Sequence, residues 1–253
     1  MRIAAVQHDI VWEDRDANFA RLAPWIAGAA GAGAELVLLT ETFSTGFSMT
    51  PGIGEPEGGP SAQFLQAQAA EHGVWVGGTC PEIAADGELP YNSFVLAGPD
   101  GTTHRYRKLH PFTHAGEHER FRAGEKPTSV EIGGLRITPF ICYDLRFANV
   151  FWDAAPATDV YLVPANWPSP RRHHWQTLLQ ARAIENQAYV VGVNRVGADG
   201  NGLEHLGDSR IVSPMGELLA TAAGVETMLL ADVDAAEVAA TREKFAFMPD
   251  RRP

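Results

Sequence analysis

Three side chains of different chemistry stand where apolar runs of this chain give way to polar residues. Phe140-Ile141-Cys142-Tyr143-Asp144-Leu145-Arg146-Phe147 puts a thiol at the end of the run Leu135 to Ile141. Read as a strand, that run is buried and its downstream end opens to solvent, where α/β proteins usually carry their chemistry. Cys142 is therefore a candidate nucleophile, although a lone free cysteine also serves as a small core hydrophobe. A thiol is mostly protonated at neutral pH, so a cysteine nucleophile needs a base or a charged neighbour. Leu36-Val37-Leu38-Leu39-Thr40-Glu41 ends another apolar run in a carboxylate. Arg105-Tyr106-Arg107-Lys108-Leu109-His110-Pro111-Phe112 offers Lys108 after the run Ser93 to Ala97 and a Gly98-Pro99-Asp100-Gly101 turn. Taken singly, Glu41 reads as a solvated strand cap and Lys108 as a surface charge.

The elements that must position these residues are legible as apolar runs. Strands are expected at Ile3 to Val6, Glu35 to Leu39, Val74 to Thr79, Ser93 to Ala97, Leu135 to Ile141, Val160 to Pro164, Tyr189 to Val193, Arg210 to Val212 and Met228 to Val233. Helical spacing and start signals fall at Asp16 to Ala30, Ser61 to Glu71, His173 to Asn186 and, more weakly, Ala235 to Glu243. This alternation argues for an α/β fold without separating one doubly wound sheet from a sandwich of two. Pro214-Met215-Gly216 reads as a turn between hairpin strands. Thr50 to Gly59, with four glycines and two prolines, reads as an exposed, mobile loop.

Composition narrows the class of partner. At 253 residues and 45% hydrophobic, the chain is long enough for a large core, and one domain over residues 1–253 is expected. A net charge of -11 opposes binding to nucleic acid or anionic lipid. With no export signal before the first strand, no apolar run long enough to cross a bilayer, and only Cys80 and Cys142 as thiols, a cytoplasmic protein with free cysteines is expected. Cys80 is followed by proline and reads as core packing.

Glu41, Lys108 and Cys142, in that order, resemble the Glu-Lys-Cys triad of the nitrilase, or carbon-nitrogen hydrolase, superfamily. The resemblance extends to Arg2-Ile3-Ala4-Ala5-Val6-Gln7, the Tyr106 to His110 and Ile141 to Phe147 segments, and Arg182-Ala183-Ile184-Glu185-Asn186-Gln187. Within the superfamily, Thr45-Gly46-Phe47-Ser48-Met49, Asn166-Trp167-Pro168, Asn194-Arg195-Val196-Gly197 and Gly207-Asp208-Ser209-Arg210 look most like the bacterial omega-amidases. Those enzymes hydrolyse the terminal amide of 2-oxo acids such as 2-oxoglutaramate. The resemblance implies a four-layer α-β-β-α sandwich, a homodimer and no cofactor. Thr40 departs from the proline that many members carry before the glutamate, which leaves the carboxylate in place.

The same resemblance implies the chemistry. Glu41 would take the proton of Cys142, whose sulfur attacks the amide carbon. Lys108 and the backbone N–H of Tyr143 would stabilise the oxyanion. Glu41 would then serve as acid for ammonia and as base for the water that cleaves the thioester. Glu117 best matches a second glutamate of such sites, with Glu119 as its rival. For the carboxylate of a 2-oxo acid amide, Arg146 is the first choice, with Arg171 and Arg172 behind it, because a guanidinium fork suits a carboxylate. Phe43, Phe47 and Trp167 are expected to wall a short carbon chain. A nitrilase or carbamoylase would use the same triad. His110, His114 and His118 would align on a helix as metal ligands, but Pro111 and Gly116 weaken that helix, so no metal is expected. A non-catalytic interaction module is disfavoured by the intact triad.

Overall fold

Strand β1 (Arg2–Gln7) is buried from Ile3 onward, and its side chains alternate between two different cores. Ile3 and Ala5 face a core shared with the second half of the chain, whereas Ala4 and Val6 face a core closed by helices. A strand covered on both faces carries apolar residues at consecutive positions, which is why the sequence shows runs rather than alternation. The computed structural model describes residues 1–87 and 89–251.

The first half continues as α1 (Arg15–Gly31), β2 (Leu36–Leu38), β3 (Glu55–Pro56), α2 (Pro60–His72), β4 (Trp75–Ile83), β5 (Tyr91–Ala97) and β6 (Thr103–Arg107). The second half supplies β7 (Val130–Ile132), β8 (Leu135–Pro139), α3 (Ala148–Ala154), β9 (Val160–Ala165), α4 (Arg172–Asn186) and β10 (Tyr189–Asn194). It ends with β11 (Val196–Ala198), β12 (Glu204–Leu206), β13 (Ser209–Val212), β14 (Leu218–Ala222), β15 (Thr227–Asp232) and α5 (Ala235–Lys244). One sheet has the order β15-β1-β2-β4-β5-β6, with β3 beside β4, and the other has the order β14-β13-β10-β9-β8-β7. Both sheets are mixed: β1, β2 and β4 run parallel, as do β8, β9 and β10; β3 joins β4 parallel, and the other flanking strands join antiparallel.

The layers follow from what each face touches. Leu22 and Ile26 of α1 and Leu65 and Ala69 of α2 cover the outer face of the first sheet. Trp175, Leu179 and Ala183 of α4 cover the second sheet, and Leu38 and Leu96 meet Leu162 and Val191 in the core that spans both. The result is a four-layer α-β-β-α sandwich. Each fully buried Leu, Ile or Val side chain there stabilises it by roughly 1.5–3 kcal/mol. Gly192 of β10 is required by the closeness of α4, since a Cβ there would stand 2.5 Å from Leu179.

Helix limits have local causes. Asp14 accepts from the Ala17 N–H at the start of α1, Pro60 occupies the first turn of α2, and Gly73 ends α2 at φ 68°. The segment Thr50 to Gly59 is not simply exposed: Glu55 is buried in β3, where it accepts from Arg15 and Ser61. Pro214-Met215-Gly216 does join the antiparallel pair β13 and β14.

Candidate active site

Glu41, Lys108, Cys142 and Asn166 each follow the C-terminal end of a strand, β2, β6, β8 and β9 respectively. The fold brings the first three together with Glu117, which lies in a 3-10 turn after β6. Lys108 Nζ donates to Glu41 Oε1 at 2.9 Å and to Glu117 Oε2 at 2.8 Å and Oε1 at 3.1 Å. Asn92 Nδ2 bridges the same two carboxylates, at 2.9 Å from Glu41 and 3.2 Å from Glu117. The other oxygen of Glu41 accepts from the Asn166 N–H at 2.8 Å, and Asn166 Nδ2 donates to the Glu41 carbonyl at 2.6 Å. The carboxylate is thus fixed from both halves of the chain.

All five charged or amide groups of this cluster are buried. Burial alone would push the Lys108 ammonium down, but Glu117 and Glu41 outweigh it and hold the group above the ordinary lysine value. Burial raises the Glu117 carboxyl, with Lys108 drawing it down and Glu41 pushing it up. An ammonium has three donors, and here they are shared among one oxygen of Glu41 and both oxygens of Glu117.

Cys142 opens a 3-10 turn, Cys142–Arg146, and takes the left-handed backbone at φ 42°. A non-glycine residue there costs about 1–3 kcal/mol and persists only where its surroundings enforce it. Its sulfur lies 4.0 Å from the Asn166 carbonyl oxygen and against Glu41. Burial pushes the thiol well above its ordinary value, and Glu41 adds to the shift while Lys108 opposes it. The N–H of Tyr143 stands in the first turn of the 3-10 helix, where amide donors have no partner within the helix.

Cys142 and Tyr143 line a cavity of about 740 Å³ together with Phe47, Arg146, Trp167 and Arg171. The Arg146 guanidinium lies 4.7 Å from the Trp167 ring centre, and that of Arg171 lies 5.6 Å from the Phe112 ring centre. Among the described residues neither arginine has a carboxylate partner. Burial, reinforced by the charge of Arg171, lowers the pKa of Arg146.

Two expected wall or binding residues lie elsewhere. Phe43 is fully buried in the helix-covered core, with ring centres 6.3 Å from Phe19 and 6.1 Å from Phe64, because the left-handed Thr42 (φ 42°) turns the chain after Glu41. Arg172 is already held by Asp208 at 3.0 and 2.7 Å and does not line the cavity. Glu119 is exposed, whereas Glu117 carries the lysine contact. His110 bonds Asp144 and stacks on Phe147, and the three spaced histidines share no helix. Among the described residues, no group of three or more His, Cys, Asp and Glu side chains is placed to hold a metal ion. Cys80 is buried in β4, where burial and then Glu82 raise its thiol pKa. Asn92 and the side chain of Asn166 carry no motif of their own in the sequence; their signal is a polar residue inside or directly after a largely apolar strand.

A family model for carbon-nitrogen hydrolases matches residues 2–243. The chain is 39% identical over 251 residues to the omega-amidase YafV of Escherichia coli K12, covering 99% of this chain and 96% of that one. It is 30% identical over 254 residues to the 2-oxoglutaramate amidase of Bacillus subtilis, covering 99% and 97% of the two chains. The crystal structure of XC1258 from Xanthomonas campestris, a CN-hydrolase superfamily protein with an arsenic adduct in its active site, matches with a TM-score of 0.93 at 36% identity, covering 100% of this chain and 97% of that one. From sequence, fold and relatives alike, the chain belongs to the carbon-nitrogen hydrolase family.

Proposed function

We propose that this protein is an omega-amidase, hydrolysing the terminal amide of 2-oxo acid amides such as 2-oxoglutaramate to the 2-oxo dicarboxylate and ammonia. One observation carries the reading: a thiol beside a buried Glu-Lys-Glu cluster opens into the same cavity as two arginines without carboxylate partners. The first is equipment for acyl transfer, and the second attracts a carboxylate despite the net charge of -11.

In this reading Cys142 Sγ attacks the amide carbon as its proton passes to Glu41. The oxyanion is met by the Lys108 ammonium, which turns one donor from Glu117 toward it, and by the Tyr143 N–H. Collapse of the intermediate breaks the C–N bond, and Glu41 returns the proton to the departing ammonia. Water then loses a proton to Glu41 and adds to the thioester carbon. The second intermediate expels the sulfur, which regains its proton. Glu117 holds Lys108 in place, and Arg146 and Arg171 take the distal carboxylate while Phe47 and Trp167 flank the chain between.

The test is ammonia release from a panel of short amides, ureas and nitriles. Preference for carboxylate-bearing primary amides supports the reading; release from nitriles or ureas alone sinks it. The reading also includes one carbon-nitrogen hydrolase domain, a cytoplasmic location and a homodimer, the last refuted by a fully active monomer across the micromolar range in sedimentation. No described helix is long and apolar enough to cross a membrane.

A further inference from the structure

Asp144 is fully buried two residues past Cys142, and the amidase reading gives it no task. Its carboxylate is bonded on both sides. Oδ2 accepts from the Ile141 N–H at 3.0 Å and from the Tyr106 hydroxyl at 2.7 Å. Oδ1 accepts from the His110 N–H at 2.9 Å and lies 2.8 Å from His110 Nδ1. The Tyr106 hydroxyl in turn accepts from the Leu109 N–H at 3.3 Å. These partners bracket the two groups that must meet at the substrate. Tyr106, Leu109 and His110 surround Lys108, and Ile141 precedes Cys142.

The turn needs such a tie. Cys142 sits in the strained left-handed region, and the backbone bond from the Asp144 N–H to the Ile141 carbonyl, at 2.9 Å, closes the turn reciprocally with the side-chain bond. Arg182 of α4 holds the far end, with Nη2 donating to the Leu145 carbonyl at 2.7 Å. Only the Asp144 side chain, of these two, reaches across to the lysine segment. Buried and fully bonded, it is a rigid spacer between two strand ends of different sheets.

We propose that Asp144 is a positioning residue: through Ile141, Tyr106 and His110 it fixes the alignment of the Lys108 ammonium with the Cys142 thiol, and it touches no substrate. The inference rests on the reading of Cys142 as nucleophile and Lys108 as its oxyanion partner. A shift of about 1 Å between reacting groups can cost on the order of a hundredfold in rate, so such a tie acts on turnover rather than on binding.

Asp144→Asn keeps the volume and breaks the symmetry. Asparagine has one acceptor oxygen, so it loses either the Tyr106 and Ile141 side or the His110 side. Tyr106→Phe removes a single strut. Both are to be compared with wild type by kcat and KM for 2-oxoglutaramate, by the rate of Cys142 alkylation with iodoacetamide, and by thermal midpoint. Asp144→Asn is expected to lower kcat per folded protein by about a hundredfold with KM within about threefold, and to slow alkylation about fivefold or more; Tyr106→Phe lowers kcat about tenfold. A merely structural role would lower the midpoint and leave kcat per folded protein unchanged, and that result overturns the proposal. So does a loss carried wholly by KM. If wild type releases no ammonia from any amide, the amidase reading fails by itself, and alkylation decides here: an unchanged rate in Asp144→Asn overturns the positioning role. If Asp144→Asn does not fold, Tyr106→Phe is measured in the same three ways and the same outcomes decide.

Discussion

Lys108 and Arg146 are both cations of the same site, and their surroundings differ in kind. Lys108 is buried with Nζ within 3.1 Å of two carboxylates, whereas Arg146 is half-buried over an indole ring, with Arg171 near enough to lower its pKa further. The first cation has its partners before any substrate arrives. It is oriented at no cost during the reaction and is suited to charge that develops only in the transition state. The second has no carboxylate partner among the described residues, only His174 Nδ1 at 3.3 Å, which leaves it open to a substrate carboxylate in the proposed reaction. Mutations at the paired end should therefore act on turnover, and those at the unpaired end on affinity.

The largest effects belong to the paired end. Cys142→Ala should abolish amide hydrolysis and leave the fold intact, while Cys80→Ala retains activity. Iodoacetamide labelling followed by intact mass checks this: loss of activity on labelling of Cys80 alone would reverse the assignment. Glu41→Gln and Lys108→Ala should each lower kcat by about a hundredfold or more. Turnover near wild type at saturating substrate would remove the residue from the proposed mechanism.

At the unpaired end the signature changes. Arg146→Met should raise KM for 2-oxoglutaramate by about tenfold to a hundredfold, or roughly 1.5–3 kcal/mol for a lost charge-assisted contact, and barely affect a neutral amide of equal length. Equal kcat/KM for charged and neutral amides in wild type would break the comparison, leaving a thiol amidase of other specificity.

How far these two ends were readable in the sequence has physical causes. Glu41 and Cys142 were visible because each follows a largely buried run, and burial on both faces of β2 writes itself as consecutive apolar residues; Lys108 was visible through the Tyr106 to His110 segment that carries the resemblance. Strand β6, half-buried and rich in polar residues, leaves no such trace, and the short pairs β11 and β12 leave less. Phe43 misled because nothing in the identity of Thr42 announces its positive φ, which swings the ring into the helix-covered core. Arg172 misled because its partner, Asp208, lies 36 positions away. Local pattern fixes neither a turn of that kind nor a long-range ion pair.

A buried histidine backs the paired end. His8 lies behind Thr40, with Nδ1 2.9 Å from the Asp9 carbonyl and Nε2 2.9 Å from the Thr40 hydroxyl, an arrangement that suits one donor and one acceptor nitrogen. Burial, above all, lowers its pKa to about 4, and burial followed by the charge of Arg195 lowers that of His205 to about 4. Between the ordinary value of 6.5 and about 4 the unfolded chain binds more protons than the folded one. Stability is then full above pH 6.5 and falls as pH drops toward 4, by about 1–3 kcal/mol for each histidine. Thermal melts of wild type and of the His8→Gln, His205→Gln double variant test it. An equally steep acid limb in both would deny the two histidines this part.

The smallest expected effect sharpens the comparison most, because it sets a third arginine against Arg146. Arg172 begins α4 only one residue after Arg171, yet its guanidinium is bonded by Asp208 and lies outside the cavity lining. If an unmet demand is what recruits the substrate carboxylate, a satisfied arginine should contribute nothing to binding however near it lies in sequence. Arg172→Met should therefore change KM for 2-oxoglutaramate by no more than about threefold and leave kcat alone. Its cost should fall on stability, as a small drop in thermal midpoint for a pair whose arginine side chain is 47% exposed. Steady-state kinetics beside a thermal melt separates the two. A rise in KM as large as that for Arg146→Met, with the midpoint unmoved, would mean that Arg172 leaves Asp208 for the substrate, and that pairing in the resting site does not distinguish the arginines that bind from those that brace.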